Sequence, residues 1–459
     1  PQLARALQSQ GKFKEMLEEL KPELVAKSAP LLALRGDALL AQNQQDEAKK
    51  SYEAALALQA NNGAALTGMA RYALVNRDGE AAERYASEAI TKDANNADVW
   101  MFRGGMLRAT GKGDDAIKAF DKVLALRPAD RNANVEKAYI RIEQGKYAEA
   151  RAEIDAGRKA APNSLAVVHA QALVDYTEGK YPAARESLQK ILKSAPEHMP
   201  SILLAGAVEL NLGANGAAES HLRKYLATDP NNLYARKLLA QALLKGSQPG
   251  DAVAALAPAL DSTNDPQLLA LAGESYMQAR EFGKATALFE KAAKLAPDAA
   301  VVHTSLGLSR MNQGDSAQAI NELERAAELD PKSPRALTAL VQAELNLKHY
   351  DKALAAAEKL EQAQPENPQT QNIKASVYFA KGDVAAARAA FEKALQLQPT
   401  FFPAAASLAQ LDLRENKPDA ARKRFETILE KDKKNFGAMA ALADLAMLHE
   451  LARAYAVLH

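Results

Sequence analysis

Seven histidines, His169, His198, His221, His303, His349, His449 and His459, are the residues best suited to metal or acid–base chemistry. None has another histidine three or four residues away, the separation that sets two imidazoles on one helix face for zinc. They read as single polar residues of a surface or groove. The chain has no cysteine, which removes disulfides, thiolate ligands and thiol nucleophiles. No G-x-S-x-G nucleophile elbow occurs. Gly111 to Ala116, "GKGDDA", fits the loose dinucleotide pattern, yet no strand is expected before it. "GMLRATGKG" fails as a P-loop, because Gly113 stands where Ser or Thr would reach magnesium. The expected chemistry is recognition, without catalysis, cofactor or metal.

Charge narrows the partners. Lys+Arg 58 against Asp+Glu 57 leaves +1 over 459 residues, so no net field holds a polyanion and nucleic acid is not expected. Charges interrupt every apolar stretch, and no run of about 18 apolar residues predicts a membrane span. The chain opens at Pro1 inside an expected helix, so a targeting or lipid signal would lie upstream of it.

Elements that could position a recognition surface follow from a repeat. Pro128, Pro162, Pro196 and Pro230 stand 34 residues apart, as do Pro297, Pro331, Pro365 and Pro399; Pro230 to Pro297 is 67, one short of two periods. With each proline as position 32, units start at 29, 63, 97, 131, 165, 199, 233, 266, 300, 334, 368 and 402. Position 20 is then alanine every time, from Ala48 to Ala421. Position 8 is Gly or Ala except at Val341, and position 24 is usually large, as in Tyr52, Phe120, Phe289 and Phe391. Small residues let two helix backbones approach, and the large side chain fills the space beside the contact. Position 15 is Gly at 111, 145, 179, 213, 314 and 382, where a first helix ends in a left-handed residue. A second helix such as "AARAAFEKAL" follows, and proline stops it. Each unit is a helix hairpin that buries its apolar face only by stacking on the next.

These positions, with Trp100 at position 4 of the third unit, resemble the tetratricopeptide repeat over essentially the whole chain. The resemblance implies an all-α fold, a solenoid of stacked antiparallel hairpins forming an alpha-alpha superhelix whose first helices line a concave groove for protein or peptide partners. Residues 1–28 read as a partial N-terminal unit, 29–435 as twelve tandem units, and 436–459 as a partial unit or capping helix. "HELARAYAVLH" lacks the expected turn glycine, and chain continuity near Glu450 is in question. Segments such as "LLALRGDALL", "AGAVELNLG" and "FFPAAASLAQLDL" look like the tetratricopeptide-repeat lipoproteins of bacterial PEP-CTERM/exosortase exopolysaccharide systems. That resemblance implies a noncatalytic envelope scaffold, periplasmic or outer-membrane-attached, lipid-anchored in the full-length protein, with polysaccharide as an alternative ligand. The alternatives are a cytosolic peptide-binding adaptor and the regulatory arm of an enzyme whose catalytic domain lies elsewhere.

By the same resemblance, positions 2, 5, 9 and 12 of each first helix face the groove. They include Arg71, Met101, Arg108, Tyr139, His169, Tyr176, Tyr234, Lys237, Gln241, Glu274, Arg335, Asn372 and Phe379. Tyr and His offer a flat apolar face plus a hydrogen bond, which suits extended peptide or sugar rings. The Lys-Asn-Asn-Lys-Arg carboxylate clamp of co-chaperone repeats is not supplied by any three units: Gln241 follows Lys237, and Leu271 and Val301 occupy later clamp positions.

Overall fold

The structure, a computed structural model, describes residues 2–261 and 263–458, apart from the side chains of Ser9 and of 448–458. His459 lies outside the described residues, as do the side chains around Glu450. Every regular element among the described residues is a helix. The chain divides into two compact units, 1–221 and 222–459.

In the first unit, short helices at Gln2–Ser9, Phe13–Glu19 and Pro22–Val25 precede five hairpins. These run from Ala29–Ala41 with Gln45–Leu58 to Leu165–Thr177 with Tyr181–Ser194, and Met199–Asn211 packs on the last. The second unit holds six, from Leu233–Lys245 with Pro249–Leu260 to Phe402–Arg414 with Pro418–Lys431, and the Phe436–Leu458 helix packs behind them.

The hairpin interior follows from the small and large positions. Ala48, Ala82, Ala116, Ala150, Ala184, Ala218, Ala252, Ala285, Ala319, Ala353, Ala387 and Ala421 are all completely buried. A Cβ on Gly36 would come within 2.4 Å of the Tyr52 ring, and one on Gly273 within 2.7 Å of Phe289. Val341, the exception at position 8, is matched by Ala357 at position 24: both are buried in one cluster, with the large residue on the opposite helix. The pair conserves volume, which cores tolerate.

The turn between the two helices is more uniform than its sequence. Position 15 has positive φ in every unit, at the six predicted glycines and also at Asn43, Arg77, Ser247, Arg280, Lys348 and Asn416. The short loop demands a left-handed residue, and half the units place a side chain there against its preference. Second helices start on caps where the sequence provides them: Asp78, Asp315 and Asp383 each accept a backbone N–H three residues on.

Candidate ligand-binding groove

Successive first helices place the predicted residues of the first unit in a row. Arg108, at the end of Ala97–Ala109, donates to Glu136 Oε2 at 2.6 Å and Glu143 Oε1 at 2.6 Å on Arg131–Glu143. Its guanidinium lies 5.1 Å from the centre of the Tyr139 ring. Tyr139 meets His169 of the next first helix edge-on at 6.5 Å. Burial, with the charge of Glu136, pushes the Tyr139 hydroxyl up to about 12, so it stays a neutral hydrogen-bonding phenol.

The row continues where the sequence expected isolated histidines. His169 and His198 meet edge-on at 5.7 Å, and the Nδ1 atoms of both lie on Ser201 Oγ, at 3.0 and 2.8 Å. A serine hydroxyl has one proton, so it donates to one imidazole and accepts from the other. Ser201 is completely buried, and its hydroxyl therefore holds two rings instead of meeting a substrate. Burial and the repulsion of His198 pull His169 down to about 4, which keeps it neutral at pH 7. His198 and Ser201 escaped the sequence reading because helix-face spacing sees only pairs within one helix. His198 immediately precedes Met199–Asn211, while His169 sits on Leu165–Thr177.

Other predicted residues of the first unit carry their own partners. Arg71 pairs with Asp37 at 2.9 Å and stacks on Phe102, and Met101 packs half-buried beside Phe120. Tyr176 leans on Tyr181, with ring centres 5.7 Å apart.

In the second unit, Lys237 pairs with Asp265 at 2.9 Å, which holds that carboxylate below its usual range. Glu274 and Arg335 approach to 3.8 Å, although two periods separate their helices in the chain. Phe379 lies under the Arg414 guanidinium at 5.1 Å. Tyr234 and Gln241 are exposed, and the buried Asn372 Oδ1 accepts no hydrogen bond. Tyr234 and Lys237 are thus taken within the second unit, apart from Tyr139, His169 and Tyr176 in the first.

Such a surface presents aromatic faces, hydrogen-bonding tips and cations already neutralised by neighbours. Among the described residues no group of three or more His, Asp or Glu could hold a metal ion. No helix among them is long and apolar enough to cross a membrane.

Comparison with known proteins agrees with the period. Tetratricopeptide repeat profiles match residues 67–130, 169–232, 237–300, 304–368 and 338–400, others match 107–174 and 378–448, and another 29–62. No curated protein matches the chain significantly. Among solved structures, a human IFIT1 dimer with PPP-AAAA is similar at 17% identity over 77% of this chain and 91% of that one, with TM-score 0.46. Yeast Tom70 is similar at 15% identity over 94% and 97%, with TM-score 0.44. Pseudomonas aeruginosa pilF matches at 18% identity over 46% and 97%, with TM-score 0.40. With one profile alone spanning well over half of its residues, at the period its prolines and alanines mark, the chain belongs to the tetratricopeptide repeat family.

Proposed function

We propose that the chain is a noncatalytic scaffold that binds extended segments of protein partners along its first helices. The observation that carries this reading is the row Arg108, Tyr139, His169 on three successive first helices. Its rings are held by neighbours before any ligand arrives, so little ordering cost remains to be met on binding. Tetratricopeptide repeats serve as interaction modules, and a row of rings with a paired cation suits that role.

The finer reading is a bacterial envelope scaffold supporting exopolysaccharide assembly or export, or PEP-CTERM protein sorting, held at the periplasm or outer membrane by a lipid anchor. Its support is the likeness of sequence segments such as "AGAVELNLG" to lipoproteins of those systems. Polysaccharide is the second ligand class in this reading, since Tyr and His faces also suit sugar rings.

The test is capture from a bacterial envelope extract on the immobilised chain, read by protein and glycan mass spectrometry beside a Tyr139→Ala, His169→Ala, Tyr234→Ala variant. A reproducible partner lost in the variant supports the groove and gives its class. Equal capture by both, or by neither, removes the assignment.

A further inference from the structure

The repeat supplies its own controls for a second surface, between the second helices of neighbouring hairpins. Four units carry an acid at position 11 of the first helix: Asp175, Glu209, Glu344 and Asp412. Position 21 of the preceding unit faces it. At three of the four that residue is arginine, and each pair forms: Arg151 donates to Asp175 at 2.6 Å, Arg185 Nε to Glu209 at 2.8 Å, and Arg388 to Asp412 at 2.6 Å. Asp412 also receives Arg424, from position 23 of its own unit.

At Glu344 both cations are missing. Position 21 of the preceding unit is Ile320, and position 23 of its own unit is Ala356. The carboxylate is nevertheless 1% exposed. Oε2 accepts from His349 Nδ1 at 2.7 Å; among the described residues Oε1 has no hydrogen-bond donor. Oε1 is not sealed from solvent, so a carboxylate whose two oxygens accept several hydrogen bonds keeps capacity for a donor from outside.

Glu344 and Ala356 line an open cleft of about 790 Å³. One wall is Ser316–Leu329, with Glu324 and Glu328; the other is Tyr350–Ala363, with Lys352 and Lys359; Leu340 and Glu344 lie between them. Where cavities form beside filled pairs they are smaller, about 240 Å³ at Arg185–Glu209 and 460 Å³ next to Arg424.

We propose that this cleft receives an arginine side chain from a partner protein, whose guanidinium takes on Glu344 the place that Arg388 and Arg424 hold on Asp412. Around the cleft stand Lys332, Lys352 and Lys359 against Glu324 and Glu328, so the attraction for a guanidinium falls to Glu344, the carboxylate between the walls. A guanidinium brings two parallel donors that match a carboxylate edge, and pairing here desolvates a group the fold has already desolvated. The cavity exceeds one arginine side chain, which leaves room for flanking residues of the same segment. The site is separate from the groove of the first helices.

The experiment titrates the full chain with an acetylated glycine–serine peptide bearing one arginine, and with its citrulline version, followed by ligand-observed NMR. The arginine peptide is expected to bind. Citrulline, which keeps the shape and loses the charge, and Glu344→Gln are each expected to weaken it about tenfold or more. Ala356→Arg, which returns an internal guanidinium, should do the same, and it keeps the test decisive if Glu344→Gln fails to fold. The Tyr139→Ala, His169→Ala, Tyr234→Ala variant should bind the peptide as the parent does, so loss of the groove reading leaves this result standing. Equal binding of both peptides, full affinity in Glu344→Gln, or no binding at millimolar peptide overturns the proposal.

Discussion

The Phe120 ring fills the space that a side chain on Gly104 would need: a Cβ there would lie 2.5 Å from Phe120 Cε1. Its neighbour Gly105 faces open space, with nothing within 4 Å of such an atom. Two adjacent glycines in one helix are therefore opposite in kind.

Gly104→Ala is expected to destabilise the protein by about 1 to 3 kcal/mol, because the fully buried ring has nowhere to move. Gly105→Ala should stabilise it by roughly 0.5 to 1 kcal/mol through helix propensity alone. Denaturant midpoints of the two variants check the pair. Shifts of the same sign would disprove the contact.

At the hairpin turns, Arg77 has φ 60° and is exposed. Arg77→Gly is expected to stabilise by roughly 0.5 to 1 kcal/mol, relieving a left-handed side chain. The reverse change, Gly382→Ala at φ 91°, should cost about 1 kcal/mol or more. Thermal melts of both variants read the sign directly.

Glu361 accepts hydrogen bonds from Lys374, Lys393 and Gln371, which hold its carboxyl at about 2, against an ordinary 4.5. A depressed carboxyl contributes stability that is complete above its unfolded value and is lost as pH falls through the folded one. Wild type should therefore lose stability relative to Glu361→Gln between pH 4.5 and about 2, with no change in the difference above pH 6. A difference that stays flat across the acid range would show that the three donors do not act on Glu361.

His169 works in the same direction, from burial instead of ion pairing and at higher pH. Its folded value of about 4 lies below the ordinary 6.5, so from pH 6.5 down to about 4 the unfolded chain binds a proton that the folded one refuses. Stability should fall over that window by up to about 1.4 kcal/mol per pH unit, and His169→Gln should flatten the slope. Double protonation would also leave the Ser201 proton without an acceptor. Histidine NMR titrations of wild type and Ser201→Ala give an independent reading.

The legible part of this protein was whatever repeats as a residue type. Alanine at position 20 announced its own burial, because it is alanine in all twelve units and each is completely buried. The left-handed turn was legible only where glycine marks it; Arg77 and Lys348 hide it, since loop geometry imposes φ regardless of the side chain. The meeting of His169 with His198 spans two helices and 29 residues, a separation that no helical periodicity records. Glu344 is ordinary by itself; what sets it apart is Ile320 at the position where the other three acids meet an arginine. The repeat assigns the groove residues their positions, but their ion pairs to Asp37, Asp265 and Glu136 depend on side-chain reach, which spacing does not encode.

The buried clusters join neighbouring helices and hairpins: Phe120 with Ile140 in one, Phe391 with Leu408 in another. Pulled from its ends, a chain held in this way meets resistance hairpin by hairpin. Each released period of 34 residues pays out about 110 to 120 Å of extended chain, so tension is taken up in even steps. A partner bound across several hairpins would fasten those steps together, and the protein would act as a spring whose stiffness its ligand sets.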